Sequence, residues 1–224
     1  MSTFLDERIA RAVAEAGTPS DVRTLIADYG PVTTLDGIQP LIGLETLSVI
    51  ETAVEDIAPV AALHRLRSLQ LMGSRVADLS PIIGLRQLEV LWLERTNIRD
   101  LAPVAHLPQL RTLLIEDTAV DDLSPLSGSA ALTELRADRT GVRDLTPLAG
   151  LSRLRRLSLE DTRVDDLAPL AGLTELRCLT LHGTAVTDLR PLSGLRELRH
   201  LGLIDTPVTD LRPLAGLTDL QVSR

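Results

Sequence analysis

A threonine-led turn recurs every 22 residues through this chain, at Thr52, Ser74, Thr96, Thr118, Thr140, Thr162, Thr184 and Thr206. Each of the eight copies carries an Asp four residues later, from Asp56 to Asp210, and a Pro seven residues later, from Pro59 to Pro213. A period held this strictly implies stacked supersecondary units, each burying its apolar face only against its neighbours. Such an array is suited to recognition over an extended surface rather than to enclosing a reaction.

From Leu88 to Leu107, aliphatic residues occupy the first, fourth, sixth, eleventh, fourteenth, seventeenth and twentieth places of one unit. Alternation through Leu91 and Leu93 predicts a strand, with Val90, Trp92 and Glu94 pointing off the core. The steps of three through Ile98, Leu101, Val104 and Leu107 suit a 3₁₀ segment better than an α-helix. Asp100, three residues ahead of Pro103, reads as a cap before a helical start. Every unit then runs strand, turn, 3₁₀ segment and return, so successive strands must be parallel.

The pattern LxxLxLxxTxVxDLxPLxGL resembles the 22-residue leucine-rich repeats of internalins and related bacterial and eukaryotic proteins, from about residue 35 to residue 224. The resemblance implies an α/β repeat solenoid: a right-handed leucine-rich-repeat array with a concave parallel β-sheet, convex 3₁₀ turns and an N-terminal helical cap. Where the family has a laddering Asn, this chain has Thr or Ser, whose hydroxyl does part of that work with less reach.

Residues 1–30 do not follow the repeat. Leu5, Ile9, Ala12, Val13 and Ala16 form one helical stripe and Val22, Leu25, Ile26 and Tyr29 a second, so this segment is expected to be a two-helix cap. Residues 31–224 are then the array, about eight full repeats and a partial last one. The first turn is irregular, with Gly37 in the proline column and Pro40 three places on. In the last unit Leu211, Leu214, Leu217 and Leu220 have no following layer, an open end suited to self-association. The fifth unit is a candidate hinge, because Ser129 and Ala137 stand at core places; Ala130 and Ala131 offer compensation.

One cysteine, Cys178, permits no internal disulfide, and the N-terminus has acids at positions 6 and 7 where a signal peptide would be basic. A cytoplasmic location is expected, with no membrane partner, since no run of 18 apolar residues occurs. The net charge of −8, carried against 23 basic residues that are all Arg, disfavours nucleic acid.

Function is expected on the concave face, at the third, fifth, seventh and eighth places. The seventh-place column reads Ile50, Met72, Glu94, Glu116, Asp138, Glu160, His182 and Ile204. Four successive acids about 5 Å apart repel one another, a cost that folding alone does not require. The eighth column, with Arg95 and Arg139 alternating with Asp117 and Asp161, compensates in part. Beside the acids stand Met72, Val90, Trp92 and Leu114, an apolar group around the only Trp. With Arg136 at the fifth place of its unit, these make the candidate partner-binding set: Met72, Val90, Trp92, Glu94, Leu114, Glu116, Arg136, Asp138 and Glu160.

The leading expectation is a non-catalytic protein-recognition module or adaptor; family analogy also implies a regulatory subunit of an intracellular enzyme such as a phosphatase. Catalytic signals are sparse. Cys178 and His200 share a column on adjacent strands, so their side chains could approach within hydrogen-bond reach, the minimum for a thiol nucleophile and a remote alternative. His182 lies too far along its strand to complete a zinc site with them, and no phosphate loop of the required form occurs, so no cofactor is expected.

Overall fold

The computed structural model describes residues 4–224. One α-helix, α1 (Phe4–Ala16), precedes ten short strands: β1 (Thr24–Ile26), β2 (Thr46–Ser48), β3 (Ser68–Gln70), β4 (Val90–Trp92), β5 (Thr112–Leu114), β6 (Glu134–Arg136), β7 (Arg156–Ser158), β8 (Cys178–Thr180), β9 (His200–Gly202) and β10 (Gln221–Ser223). They form one parallel sheet in strictly sequential order. This is a leucine-rich-repeat solenoid, with the sheet on one side and 3₁₀ segments returning along the other.

The return path explains the aliphatic spacing of three. In the third unit, Val104 N–H donates to Leu101, Leu107 to Val104 and Leu110 to Leu107, at 2.8, 3.0 and 3.2 Å. Bonds from i to i+3 bring every third side chain to one side, which is the core side. The central leucines of the strands and the aliphatic residues of the returns merge into one continuous core.

Each Asp and each Thr of the repeat closes its own turn, whereas the Ser74 hydroxyl finds no partner among the described residues. The Asp column acts through an Asx turn rather than a helix N-cap: Asp100 Oδ1 accepts from Ala102 N–H at 2.8 Å, and the other seven Asp do likewise two residues on. Threonine hydroxyls donate to the carbonyl three residues back, as Thr96 does to Leu93 at 2.6 Å and Thr118 to Ile115 at 2.7 Å. They do not reach the next unit. Backbone supplies the ladder that a longer amide would otherwise supply: Asn97 N–H donates to Val76, Ala119 to Ile98 and Gly141 to Val120.

One expectation requires correction at the N-terminal end, and the C-terminal end departs from the regular step. Val22, Leu25, Ile26 and Tyr29 do not form a second cap helix. A 3₁₀ turn at Pro19–Asp21 leads directly into β1, which pairs Leu25 with Leu47, so sheet begins inside the segment assigned to the cap. Steps of three and four serve a leucine-rich unit as well as a helix, and here β2 offers strand hydrogen bonds that an isolated short helix would lack. At the other end β10 pairs His200 with Gln221, 21 residues on, whereas every earlier pairing, such as Cys178 with His200, spans 22. Leu220 stands two residues before Val222 where Leu198 stands three before Leu201. Coverage of the last layer is thinner: Leu217 keeps 8% exposure against 0% at Leu195.

The fifth unit shows no break. Ser129 and Ala137 are buried, and β6 keeps full register with β5 and β7.

The residue at the eighth place, just beyond each strand, turns the chain by adopting a left-handed conformation. Tyr29, Glu51, Arg95, Asp117, Arg139, Asp161 and Asp205 have φ of 52–56°, and Gly73 and Gly183 have 69° and 67°. A side chain there carries strain of about 1 kcal/mol. Replacing Asp205 by Gly should leave stability within about 0.5 kcal/mol, because relief of strain offsets added chain entropy. Gly183→Val should lose about 2 kcal/mol or more, since a Cβ there would also run into the Asp161 carboxylate. Denaturant melts of the two variants beside the parent chain check both outcomes.

Candidate partner-binding face

The left-handed turn at the eighth place leaves a specific backbone debt at the seventh. Amides at the sixth and eighth places point to the following unit, as Leu93 N–H does to Leu114 and Arg95 N–H to Glu116, both at 2.9 Å. The seventh-place amide points the other way, where the preceding strand has already turned off. Three units satisfy it with a side chain. Asp28 Oδ1 accepts from Ile50 N–H at 2.8 Å, Asp138 Oδ1 from Glu160 N–H at 2.7 Å, and His182 Nδ1 from Ile204 N–H at 2.8 Å.

Asp138 therefore has a structural task. It is buried, with 8% exposure, and also accepts from Ser158 Oγ at 2.6 Å. Asp28 repeats the arrangement with Ser48 Oγ at 2.6 Å. Folding does make use of an acid in this column, contrary to expectation, because an unmet buried amide costs about as much as a lost hydrogen bond. The pairing of a seventh-place Asp with a fifth-place Ser in the next unit was the legible signal.

Glutamate behaves differently. Its extra methylene carries the carboxylate past the neighbouring amide, and Glu94 and Glu116 turn back toward their own backbone N–H groups. Each leaves one oxygen, Oε2, shielded from water and without a hydrogen-bond partner. Burial pushes the Glu94 carboxyl up to about 7, its own amide opposing the shift and the charge of Glu116 adding to it. Glu116 is raised as well, by burial first and then by Asp138, with Arg136 and Arg139 opposing.

The apolar companions are less exposed than their outward direction suggested. Met72, Val90 and Trp92 are half-buried, and Leu114 is buried with 8% exposure. Strands about 4.8 Å apart on a concave surface crowd side chains together, and Leu114 stands in register between Trp92 and Arg136. Trp92 Nε1 is shielded and has no hydrogen-bond acceptor. Arg136 is exposed and Glu160 half-buried.

Arg136 belongs to a network whose other members include Glu134 and Arg156, which the candidate set omitted. Glu134 takes Arg136 Nε at 3.0 Å and Arg156 Nη2 at 2.7 Å, while Arg136 Nη1 stands 3.9 Å from Glu116. Burial raises the Glu134 pKa, but the hydrogen bonds and charges of Arg156 and Arg136 outweigh it and hold the carboxyl below its ordinary value. In the eighth column Arg139 makes a two-pronged pair with Asp117 at 2.6 and 2.7 Å, whereas Arg95 reaches over Gly73 to Glu51. Compensation there is real, though Arg95 finds its acid two units back.

Cys178 and His200 are register partners on β8 and β9, yet the described contacts include no hydrogen bond between them. Strand neighbours in one column share a face without their short polar atoms having to meet. Among the described residues no group of three or more His, Cys, Asp or Glu side chains is placed to hold a metal, and no helix is long and apolar enough to cross a membrane.

Solved structures with the same architecture define its class. An internalin (inlF) from Listeria monocytogenes matches with a TM-score of 0.94 at 31% identity, over 99% of this chain and 68% of that one. Internalin C2 of the same organism matches at 0.70 and 29% identity, over 99% of this chain and 96% of that one. The plant peptide hormone receptor RGFR1, in complex with RGF2, shares the fold at a TM-score of 0.79 and 16% identity, over 91% of this chain and 36% of that one. No protein-family model and no curated protein matches the sequence. The chain belongs to the internalin-type leucine-rich-repeat proteins.

Two stability predictions follow from the divided acid column. Asp138→Ala should cost about 1–3 kcal/mol, because Glu160 N–H loses its acceptor, and amide exchange at Glu160 should accelerate. Glu94 has the opposite sign. Its folded pKa of about 7 lies above the ordinary 4.5, so its contribution is most favourable at low pH and is lost as pH rises from about 4.5 through 7. Glu94→Gln should therefore stabilise by about 1 kcal/mol at pH 8, after solvent screening, and by much less at pH 5, as thermal melts at the two pH values would show.

Proposed function

We propose that this chain is a non-catalytic recognition module that takes a protein partner on the sheet face, with Trp92 as anchor and Glu94 and Glu116 as orienting charges. One observation supports it above the rest. Most side chains on this face meet their hydrogen-bonding needs within the array, but Trp92, Glu94 and Glu116 hold polar atoms with none. Buried polar atoms without partners are uncommon, and their grouping around the only Trp supports reading this surface as one completed by another molecule. Met72, Val90 and the covered Leu114 supply apolar contact, and Arg136 and Glu160 lie at the rim. Asp138 supports the face from beneath.

Class and fold agree with this reading. A leucine-rich-repeat receptor of the same architecture is known in complex with RGF2, so the scaffold accommodates a peptide ligand in that protein. The lone Cys178, half-buried and unpaired, favours a reducing compartment for the module, and fractionation of the source cells tests that location.

Affinity capture with three forms of the chain tests the recognition face. A true partner binds the parent chain and Arg190→Ala, which alters the exposed 3₁₀ side, and is lost with Trp92→Ala. Truncating an anchoring Trp should weaken binding roughly 30-fold, or about 2 kcal/mol. Retention by Trp92→Ala with loss by Arg190→Ala would assign recognition to the opposite side.

A further inference from the structure

Among the described residues, four side-chain polar atoms are buried without a partner: Ser74 Oγ, Trp92 Nε1, Glu94 Oε2 and Glu116 Oε2. Three of these share one neighbourhood. Glu94 follows Trp92 by two residues, on the same face, and Glu116 occupies the equivalent place one strand along. They comprise one donor and two acceptors, and they do not satisfy one another.

The cations nearby are already engaged. Arg95 pairs with Glu51, Arg139 with Asp117, and Arg136 with Glu134, leaving Arg136 at 3.9 Å from Glu116. Asp138, the next acid in the column, is committed to Ser158 and to the Glu160 amide. Among the described residues Glu94 therefore makes no ion pair and Glu116 only the long one to Arg136, and the Oε2 atom of each has no hydrogen-bond donor.

An indole N–H lacks an acceptor that a peptide carbonyl supplies. Two carboxylates on adjacent strands, about 5 Å apart, lack donors that a guanidinium supplies in a planar fork of five. The aromatic ring alongside adds cation–π attraction. A lysine ammonium would offer a single point of charge and could not span both acids as a fork does.

We propose that the patch takes an extended peptide segment bearing an arginine, its guanidinium seated between Glu94 and Glu116 and a backbone carbonyl accepting from the Trp92 indole N–H. This rests on the recognition reading above and names the chemistry of its ligand.

Trp92 is the chain's only Trp, so intrinsic fluorescence reports the patch directly. The probes are acetyl-Gly-Arg-Gly-amide and its citrulline counterpart, which keeps the shape and removes the charge. The arginine peptide should give a saturable fluorescence change at pH 8, and the citrulline peptide should bind about tenfold more weakly or worse. Affinity for the arginine peptide should fall about tenfold at pH 5.5, where Glu94, with its midpoint of about 7, is protonated. The double variant Glu94→Gln, Glu116→Gln, which preserves shape and is checked for intact folding by circular dichroism, should lose the response. A response absent at pH 8, equal for citrulline, or undiminished in the double variant overturns the proposal. Should that happen while Trp92→Ala still loses its captured partner, only the arginine assignment falls; if Trp92→Ala retains that partner, the recognition face itself falls.

Discussion

Everything in this array depends on the register between neighbouring strands of three residues. A strand so short makes few hydrogen bonds, so each unit is held chiefly by agreement with the units on both sides. From β1 to β9 the pairing advances by 22 residues at every step. That agreement requires the chain to leave the sheet at the same point each time, which the left-handed residue at the eighth place accomplishes at some cost in strain. The Asx turns and the threonine hydroxyls then fix the return path from inside each unit.

The same exit creates the unmet amide at the seventh place, and the column's chemistry follows from how each side chain answers it. Asp and His are short enough to accept from the next unit's N–H, and they become part of the scaffold. Glu overshoots and turns back to its own N–H, so Glu94 and Glu116 each keep one oxygen in a partly dry setting without a hydrogen-bond partner. One methylene thus separates a structural acid from an available one. A row that reads as uniform negative charge is, in three dimensions, a structural Asp beside two functional candidates.

Much of this was legible in the residues. Leucine spacing marked the strands and 3₁₀ returns, because period 2 and period 3 place side chains on one side by geometry alone. The segment around Leu25 was not, since its steps of three and four fit a helix as well as a leucine-rich unit, and only the presence of β2 as a pairing edge decides between them. The shortened step before β10 escaped notice because the Thr, Asp and Pro columns continue in phase to Pro213 and the deletion falls after them. For the site, sequence identified the column and the Trp but not which atoms lacked partners. That property depends on where backbone N–H groups point, and no side-chain pattern states it. Leu114 shows the same limit, for its direction was readable but not its burial between the strands of Trp92 and Arg136.

The central claim is that Glu94, on the face proposed for recognition, is a shielded carboxyl whose burial outweighs the nearby charges of Arg136 and Arg95. Carbon-detected NMR of the glutamate side-chain carboxyls, followed through a pH titration of the intact chain with Glu94→Gln used for assignment, tests this most directly. The account predicts a Glu94 midpoint near 7. A midpoint near the ordinary 4.5 would mean that the group is solvated or already paired, and would contradict it.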